Sequence, residues 1–385
     1  MLLIERFLAA YGIEGAVLTA AGLLLFVVQV ARYVRLGRLA AYTNNRRHAV
    51  REAEPPVSVI VPLFSEDYAF LEERLPLLLQ QEYRQFEVVL VYVGQSSEFY
   101  EDLLGLRQCY AHLYFSRIHF DPRRPISRKM ALNIGIKAAH NECLLFTSSD
   151  AAPRSPRWLA LMAKGFVRGD VVIGYCGLEG GRGLVNRLMR TGRMMRSADW
   201  ISRAVLGRPH RGILHNFGFT KSLYFDKRVN GFNRLNMNIG EDDLFLQEVA
   251  SRENVSTILS PKATVEQHAW GGLGWWLREE SYYGAAARFY PRRVRWSNRL
   301  EPLVRVAFFA VVAWACVRMP LPFALAAAGL LLLRYLIVLF EVRRIARRLG
   351  ERRMLRLYFL YDLASPLWGL VLGLRMLRKD PRVWR

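Results

Sequence analysis

Three adjacent carboxylates, Glu241, Asp242 and Asp243, stand between Gly240 and the apolar pair Leu244-Phe245. Such a run is hard to explain as packing, and it is either a solvated turn or a site. Residues 244–249 carry a helical pattern, so the run falls where a loop becomes a helix. At that place backbone N–H groups and the helix dipole hold a carboxylate ionised, and an ionised carboxylate at a cleft edge is a general base. A fourth acid, Asp150, follows the apolar stretch 143–147 and precedes Pro153. It reads either as a turn residue or as a ligand for a hard cation that neutralises a diphosphate. Arg128 and Lys129 open a helical stretch and suit a developing negative charge, unless they are a solvated pair at the helix start.

These side chains need elements to position them. From Val57 onward short apolar runs alternate with helical patterns: strands at 57–62, 86–92, 112–118, 143–147 and 170–176, helices at 68–81, 97–106, 127–139 and 156–166. This alternation predicts an α/β fold with a parallel sheet covered on both faces. Ligands on such sheets bind beyond the carboxyl ends of the strands, which is where Asp150 falls.

The flanks are different. The 385 residues are 52% hydrophobic with mean hydropathy +0.08, high for an ordinary soluble enzyme. Residues 15–31 form an apolar run followed by Arg32, Arg35, Arg38, Arg46, Arg47 and Arg51, with Arg6 alone before it. That asymmetry predicts a membrane crossing with the following domain inside. Two further runs, 303–317 and 321–340, predict a crossing out and a return, and seven arginines between 343 and 356 follow the return. The stretch 357–374 contains Asp362, Ser365 and Pro366 with basic flanks, and reads as an interfacial or re-entrant pair broken at Pro366, or as a full crossing. Residues 184–206 read as a basic amphipathic helix, suited to a membrane surface or to a domain surface. The net charge of +22 therefore belongs with the membrane flanks and not with nucleic acid. Cys109, Cys143, Cys176 and Cys316 make no metal or redox spacing.

Taken together in order, Val57–Pro62, the helix from Arg128 to Ala139, Leu145-Phe146-Thr147-Ser148-Ser149-Asp150 and Gly240-Glu241-Asp242-Asp243-Leu244-Phe245 resemble the family 2 glycosyltransferases, in particular the membrane-anchored bacterial type. The resemblance covers about residues 55–290. It implies a GT-A fold, a mixed and mostly parallel Rossmann-like sheet, with a nucleotide-diphosphate sugar donor, a divalent metal (Mn2+ or Mg2+) and inversion at the anomeric carbon. It also implies Asp242, or Asp243, as base with Glu241 beside it, donor contacts from Pro62, Glu66, Arg128, Lys129 and Asp150, and metal on Asp150. His215 and Asn216 would line the acceptor side, with Trp275 and Trp276 as a lid or a membrane anchor. Ser148 stands where the family's D-x-D motif has its first aspartate, Val93-Gly94 where the second strand ends in acids, and Arg278-Glu279-Glu280 where a Q-x-x-R-W element falls.

The expected organisation is an N-terminal anchor (1–34), a basic linker (35–54), a cytoplasmic catalytic domain (55–295) and a C-terminal membrane region (296–385). The expected activity is inverting sugar transfer to a lipid-linked saccharide or cell-envelope glycan at a bacterial inner membrane. A non-catalytic scaffold on the same fold and a processive polysaccharide synthase are the alternatives. The second is disfavoured by too few crossings to line a channel.

Overall fold

The computed structural model describes residues 2–43, 54–119, 126–229, 231–232, 239–351 and 353–377. Most of the expected linker, 44–53, lies outside the described residues, as do 378–385. Helix α1 (Leu2–Gly37) continues into a short 3-10 turn ending at Ala41, so the boundary expected at residue 34 falls inside helical chain.

Strands β1 (Val57–Leu63), β2 (Phe86–Val93), β3 (Leu113–Ile118) and β4 (Cys143–Phe146) are joined by helices α2 (Leu75–Leu79), α3 (Ser97–Cys109) and α4 (Arg128–Ala138). β1 is buried along its whole length, as a continuous Val/Ile/Leu run must be when both faces are covered. Helix α4 starts sharply because the Ser127 hydroxyl accepts from Met130 N (3.2 Å). It lies tight on the sheet at Gly135, where a Cβ would come within 2.6 Å of Ile60.

Next come β5 (Ala151–Pro153), α5 (Trp158–Phe166), β6 (Val171–Ile173), β7 (Cys176–Leu178), α6 (Leu184–Val205) and β8 (Phe217–Thr220). After them lie α7 (Lys221–Tyr224), α8 (Asp243–Val249), β9 (Val255–Thr257) and β10 (Val265–Gln267). The main sheet has the order β3-β2-β1-β4-β8-β6-β9, and β8 runs antiparallel to both β4 and β6. The sheet is therefore mixed.

The single strand expected at 170–176 is two strands in two sheets, β6 in the main sheet and β7 in a small one ordered β5-β10-β7. The division has a visible cause. The Asn216 amide donates to Tyr175 O (2.8 Å) and Ala263 O (2.9 Å), drawing the chain out of the main sheet. Gly174 makes room for it, since a Cβ there would meet Asn216 Nδ2 at 2.4 Å.

Helices α9 (Leu273–Ala286), α10 (Arg292–Arg318), α11 (Leu321–Leu349) and α12 (Tyr358–Leu377) complete the chain. Among the described residues three helical stretches, Gly15–Ala41, Arg292–Arg318 and Leu321–Leu349, are long and apolar enough to cross a membrane. α10 begins at Arg292, before the boundary expected at residue 295, and runs unbroken through the apolar stretch to Arg318. Arg334 is fully buried and joins three helices: it donates to Asp362 Oδ2 on α12 (2.7 Å) and to Gln29 Oε1 on α1 (2.7 Å). The break expected at Pro366 does not occur, for α12 runs through it. Proline removes the N–H that would bond the carbonyl of Asp362. Arg305 Nη1 donates to that carbonyl instead (3.3 Å).

Candidate active site

The acidic run is entered through Gly240 at φ +81°, a left-handed turn that suits glycine, and a Cβ there would strike Leu244 at 2.6 Å. Asp242 is the N-cap of α8. Its Oδ1 accepts from Asp243 N (2.7 Å) and its Oδ2 from Leu214 N (3.0 Å). Glu241 accepts from Tyr282 Oη (2.8 Å) and faces Arg128 Nη1 (3.5 Å). Asp243 accepts from Tyr290 Oη and lies 3.7 Å from Arg211 Nε.

All three acids are buried. Burial and the adjacent Glu241 raise the Asp242 carboxyl above its usual range, against the pull of Arg211 and the two N–H groups. Burial and Asp242 raise Asp243 further. The cap thus exists, but its N–H groups do not outweigh desolvation as the sequence reading expected. A carboxyl lifted in this way suits proton abstraction near neutral pH better than an ordinary one.

Asp150 sits beyond the carboxyl end of β4 and is fixed by the small sheet. Gln267 on β10, paired in register with Ala151, donates to Asp150 Oδ2 (2.8 Å). His215 Nε2 lies 3.3 Å from Oδ1. Burial pushes this carboxyl up, but His215 and hydrogen bonds from Ser148 and Gln267 outweigh it and hold Asp150 well below the usual range. His215 does most to keep Asp150 ionised, and Ser148, standing for the missing first aspartate, adds a hydrogen bond to the same end. Oδ1 itself makes no hydrogen bond although it is buried.

Asp150, His215, Gln267 and Arg128 line one pocket of about 270 Å³ together with Arg278, Glu279, Tyr282 and Tyr283 of α9. Glu241, Asp242 and Asp243 do not line this pocket, and the acidic run reaches it through Glu241, which pairs with Arg128 and accepts from Tyr282. Lys129 is buried on α4 and does not line this pocket. Pro62 is buried at the end of β1, and Glu66 accepts from Tyr92 Oη (2.7 Å). Tyr92 is the residue found two positions before Gly94, where the sequence lacks the expected acids.

Asn216 is not on the acceptor side. Its carbonyl accepts from Trp158 Nε1 (3.0 Å) and its amide is used in holding Tyr175 and Ala263. Trp276 is no lid either, being buried against Trp368 with ring centroids 4.8 Å apart and Arg196 over its face. Trp275 is half-buried beside it.

Gln267, Tyr282, Tyr283, Arg211 and Tyr290 were missed by sequence reasoning. Only Tyr282 and Tyr283 carried a signal, since they close the segment standing in place of Q-x-x-R-W. Among the described residues no group of three or more His, Cys, Asp or Glu side chains converges on a metal position. Asp150 with its unbonded Oδ1 and nearby Glu279 still fit the mode in which a hard cation takes one or two carboxylates and completes its shell from substrate phosphates and water.

Residues 58–226 match the sequence model of the family described as Glycosyl transferase family 2. A search of curated protein sequences found no match. Among solved structures the chain is similar to the mannosyltransferase PcManGT from Pyrobaculum calidifontis in complex with GDP-Man and Mn2+. The TM-score is 0.60 at 17% identity, covering 94% of this chain and 99% of that one. At that identity the likeness is one of fold. It is also similar to S. aureus TarS 1-349 in complex with UDP-GlcNAc, with TM-score 0.40, 17% identity and coverage of 83% and 90%. The family match lies on the sheet that carries Asp150, and residues 58–226 thus carry a glycosyltransferase domain within a GT-A-like fold.

Proposed function

We propose that the protein transfers a sugar, with inversion, from a nucleotide-diphosphate sugar to a hydroxyl of a lipid-linked saccharide or cell-envelope glycan. The observation that carries the reading is the pocket in which Arg128 connects Asp150 to the acidic run. Asp242 takes the proton of the acceptor hydroxyl as that oxygen attacks the anomeric carbon. The bond from this carbon to the diphosphate breaks, and the nucleoside diphosphate leaves with the electron pair. Glu241 orients Tyr282 and Arg128 at the pocket wall. The Arg128 guanidinium faces the charge that develops on the leaving group. A divalent cation bound through Asp150, with Glu279 in reach, would neutralise part of that charge. The mannosyltransferase structure to which the chain is similar in fold holds GDP-Man and Mn2+, which supports this donor class.

The arginines after the first apolar helix and after α11 support a catalytic domain on the cytoplasmic side of a bacterial inner membrane. Calorimetric titration of the detergent-purified full chain with UDP and GDP, with and without Mn2+, tests the donor site. Metal-dependent binding of one nucleotide, lost in Asp150→Asn, is expected. Absence of binding for both nucleotides under every metal condition would replace the transferase reading with that of a non-catalytic scaffold.

A further inference from the structure

Behind the acidic run, where α1, α6, α9, α10 and α12 converge, lies a second cavity of about 240 Å³. Its polar wall holds four arginines, Arg32, Arg196, Arg211 and Arg305, against two carboxylates, Asp199 and Glu301. Both acids are already held. Asp199 takes Arg35 (2.8 Å) and Arg203 (3.1 Å), and Glu301 takes Arg32 (2.5 Å) and Arg305. Arg196 pairs with Glu280, just outside the cavity.

What remains is a set of buried nitrogens with no hydrogen bond, Trp276 Nε1, Arg196 Nη2 and His210 Nδ1, beside Arg211 Nε, whose carboxylate partner Asp243 stands off at 3.7 Å. Trp276 and His210 are 1% and 4% exposed, so water does not serve them freely. Burial pushes His210 down to about 4, which leaves it neutral, offering a hydrogen bond and no charge. Donors left unbonded in a dry wall cost stability unless an acceptor-rich group fills the space. Arginine forks with an indole N–H fit the oxygens of a phosphate.

The other end of the cavity is apolar. Pro302 of α10 and Trp368, Gly369 and Leu372 of α12 line it, and the neighbouring Leu303, Leu367 and Leu370 are exposed as lipid-facing side chains are. A cavity that is basic within and apolar at its rim matches an amphiphile with one anionic head.

We propose that this cavity seats the phosphate group of a membrane amphiphile, whose chain leaves between α10 and α12. Its inner wall shares two residues with the acidic run, since Arg211 and Tyr290 line it and both touch Asp243. A phosphate held there is joined through Arg211 and Tyr290 to Asp243, the neighbour of the proposed base, which suits the amphiphile as acceptor. The role as acceptor rests on the proposed transfer, whereas the binding does not.

Native mass spectrometry of the detergent-purified full chain tests it with three probes: dioleoyl phosphatidic acid, dioleoylglycerol and inorganic phosphate. Wild type is expected to retain phosphatidic acid about 10-fold or more over dioleoylglycerol, and inorganic phosphate is expected to compete only in large excess. Arg196→Gln should weaken retention on the order of 10-fold or more, and Trp276→Phe, which keeps the ring packed on Trp368, by about 2- to 10-fold. Equal retention of the two lipids, or full retention by both variants, would overturn the assignment. Displacement by equimolar inorganic phosphate would overturn the amphiphile in favour of a free anion. The wild-type lipid comparison needs no variant to fold. Nucleotide titration of the same preparation reads the donor site separately, so loss of one reading is visible without loss of the other.

Discussion

Two clusters of buried charge in this molecule are built on opposite rules. Among α1, α10, α11 and α12, Arg334 and Arg305 meet Asp362, and Gln29 and Ser365 take further guanidinium hydrogens. At Asp150 and the acidic run four carboxylates, Asp150, Glu241, Asp242 and Asp243, pair among the described residues with Arg128 and Arg211, with His215 beside Asp150. Asp150 Oδ1, Glu241 Oε2, Asp243 Oδ1 and His215 Nδ1 are buried there without hydrogen bonds. Glu301 also pairs with Arg305, so the first cluster sets two arginines against two carboxylates and holds helices together. The second is left unbalanced, which costs stability and leaves groups ready for a ligand.

If that distinction holds, the two clusters respond differently to the loss of one carboxylate. Asp242→Asn keeps an acceptor for the Asp243 N–H of α8, gives up the one for Leu214 N, and cannot take a proton from a hydroxyl. Release of nucleoside diphosphate from the donor should slow on the order of 10²–10⁴-fold with the fold intact. A rate within a few-fold of wild type would move the base to Asp243.

Asp362→Ala should act on stability instead, removing about 3–5 kcal/mol because Arg334 is left buried and unmatched. Thermal unfolding in detergent measures this. Replacing both residues with leucine should recover most of the loss, and failure to recover would mean that the pair does more than fill the interior.

The pH dependence separates the clusters further. Asp242 and Asp243 have raised carboxyls, so the folded chain binds protons that the unfolded chain releases near pH ~4. Their contribution is present at low pH and lost as pH rises through the raised folded values. Asp243→Asn should therefore flatten the fall in melting temperature between about pH 5 and 8. Asp150, held low, works the other way, and its contribution disappears only as pH falls below the ordinary carboxylate range. An unchanged slope in Asp243→Asn would show that its carboxyl is not protonated in the folded state. The smallest effect expected is that of Ser365→Ala, about 0.5–1.5 kcal/mol for one hydrogen bond to Arg305. A larger loss there would show that the membrane cluster is less redundant than its contacts suggest.

The sequence revealed what depends on near neighbours. Alternating runs announced β1 to β4 and their helices, and Gly240 followed by three acids announced a helix start. Partners brought from far along the chain were hidden. Gln267 reaches Asp150 only because the three-residue strands β10 and β5 pair, and runs so short carry no readable period. Asn216 looked like part of the acceptor wall because nothing local shows that its amide divides β6 from β7. Arg211 and Tyr290 come from segments on either side of the acidic run, and their meeting at Asp243 is a tertiary fact.

The bond from Arg305 to the carbonyl of Asp362 bears on how the chain is assembled. Proline 366 leaves α12 one bond short, and the missing bond comes from α10. α10 is synthesised first, so its guanidinium awaits a partner made some sixty residues later, consistent with the 57-residue separation of the two groups. A peptide of residues 358–377 alone should bend at Pro366. Straightening of that helix would then report the moment when the membrane bundle closes.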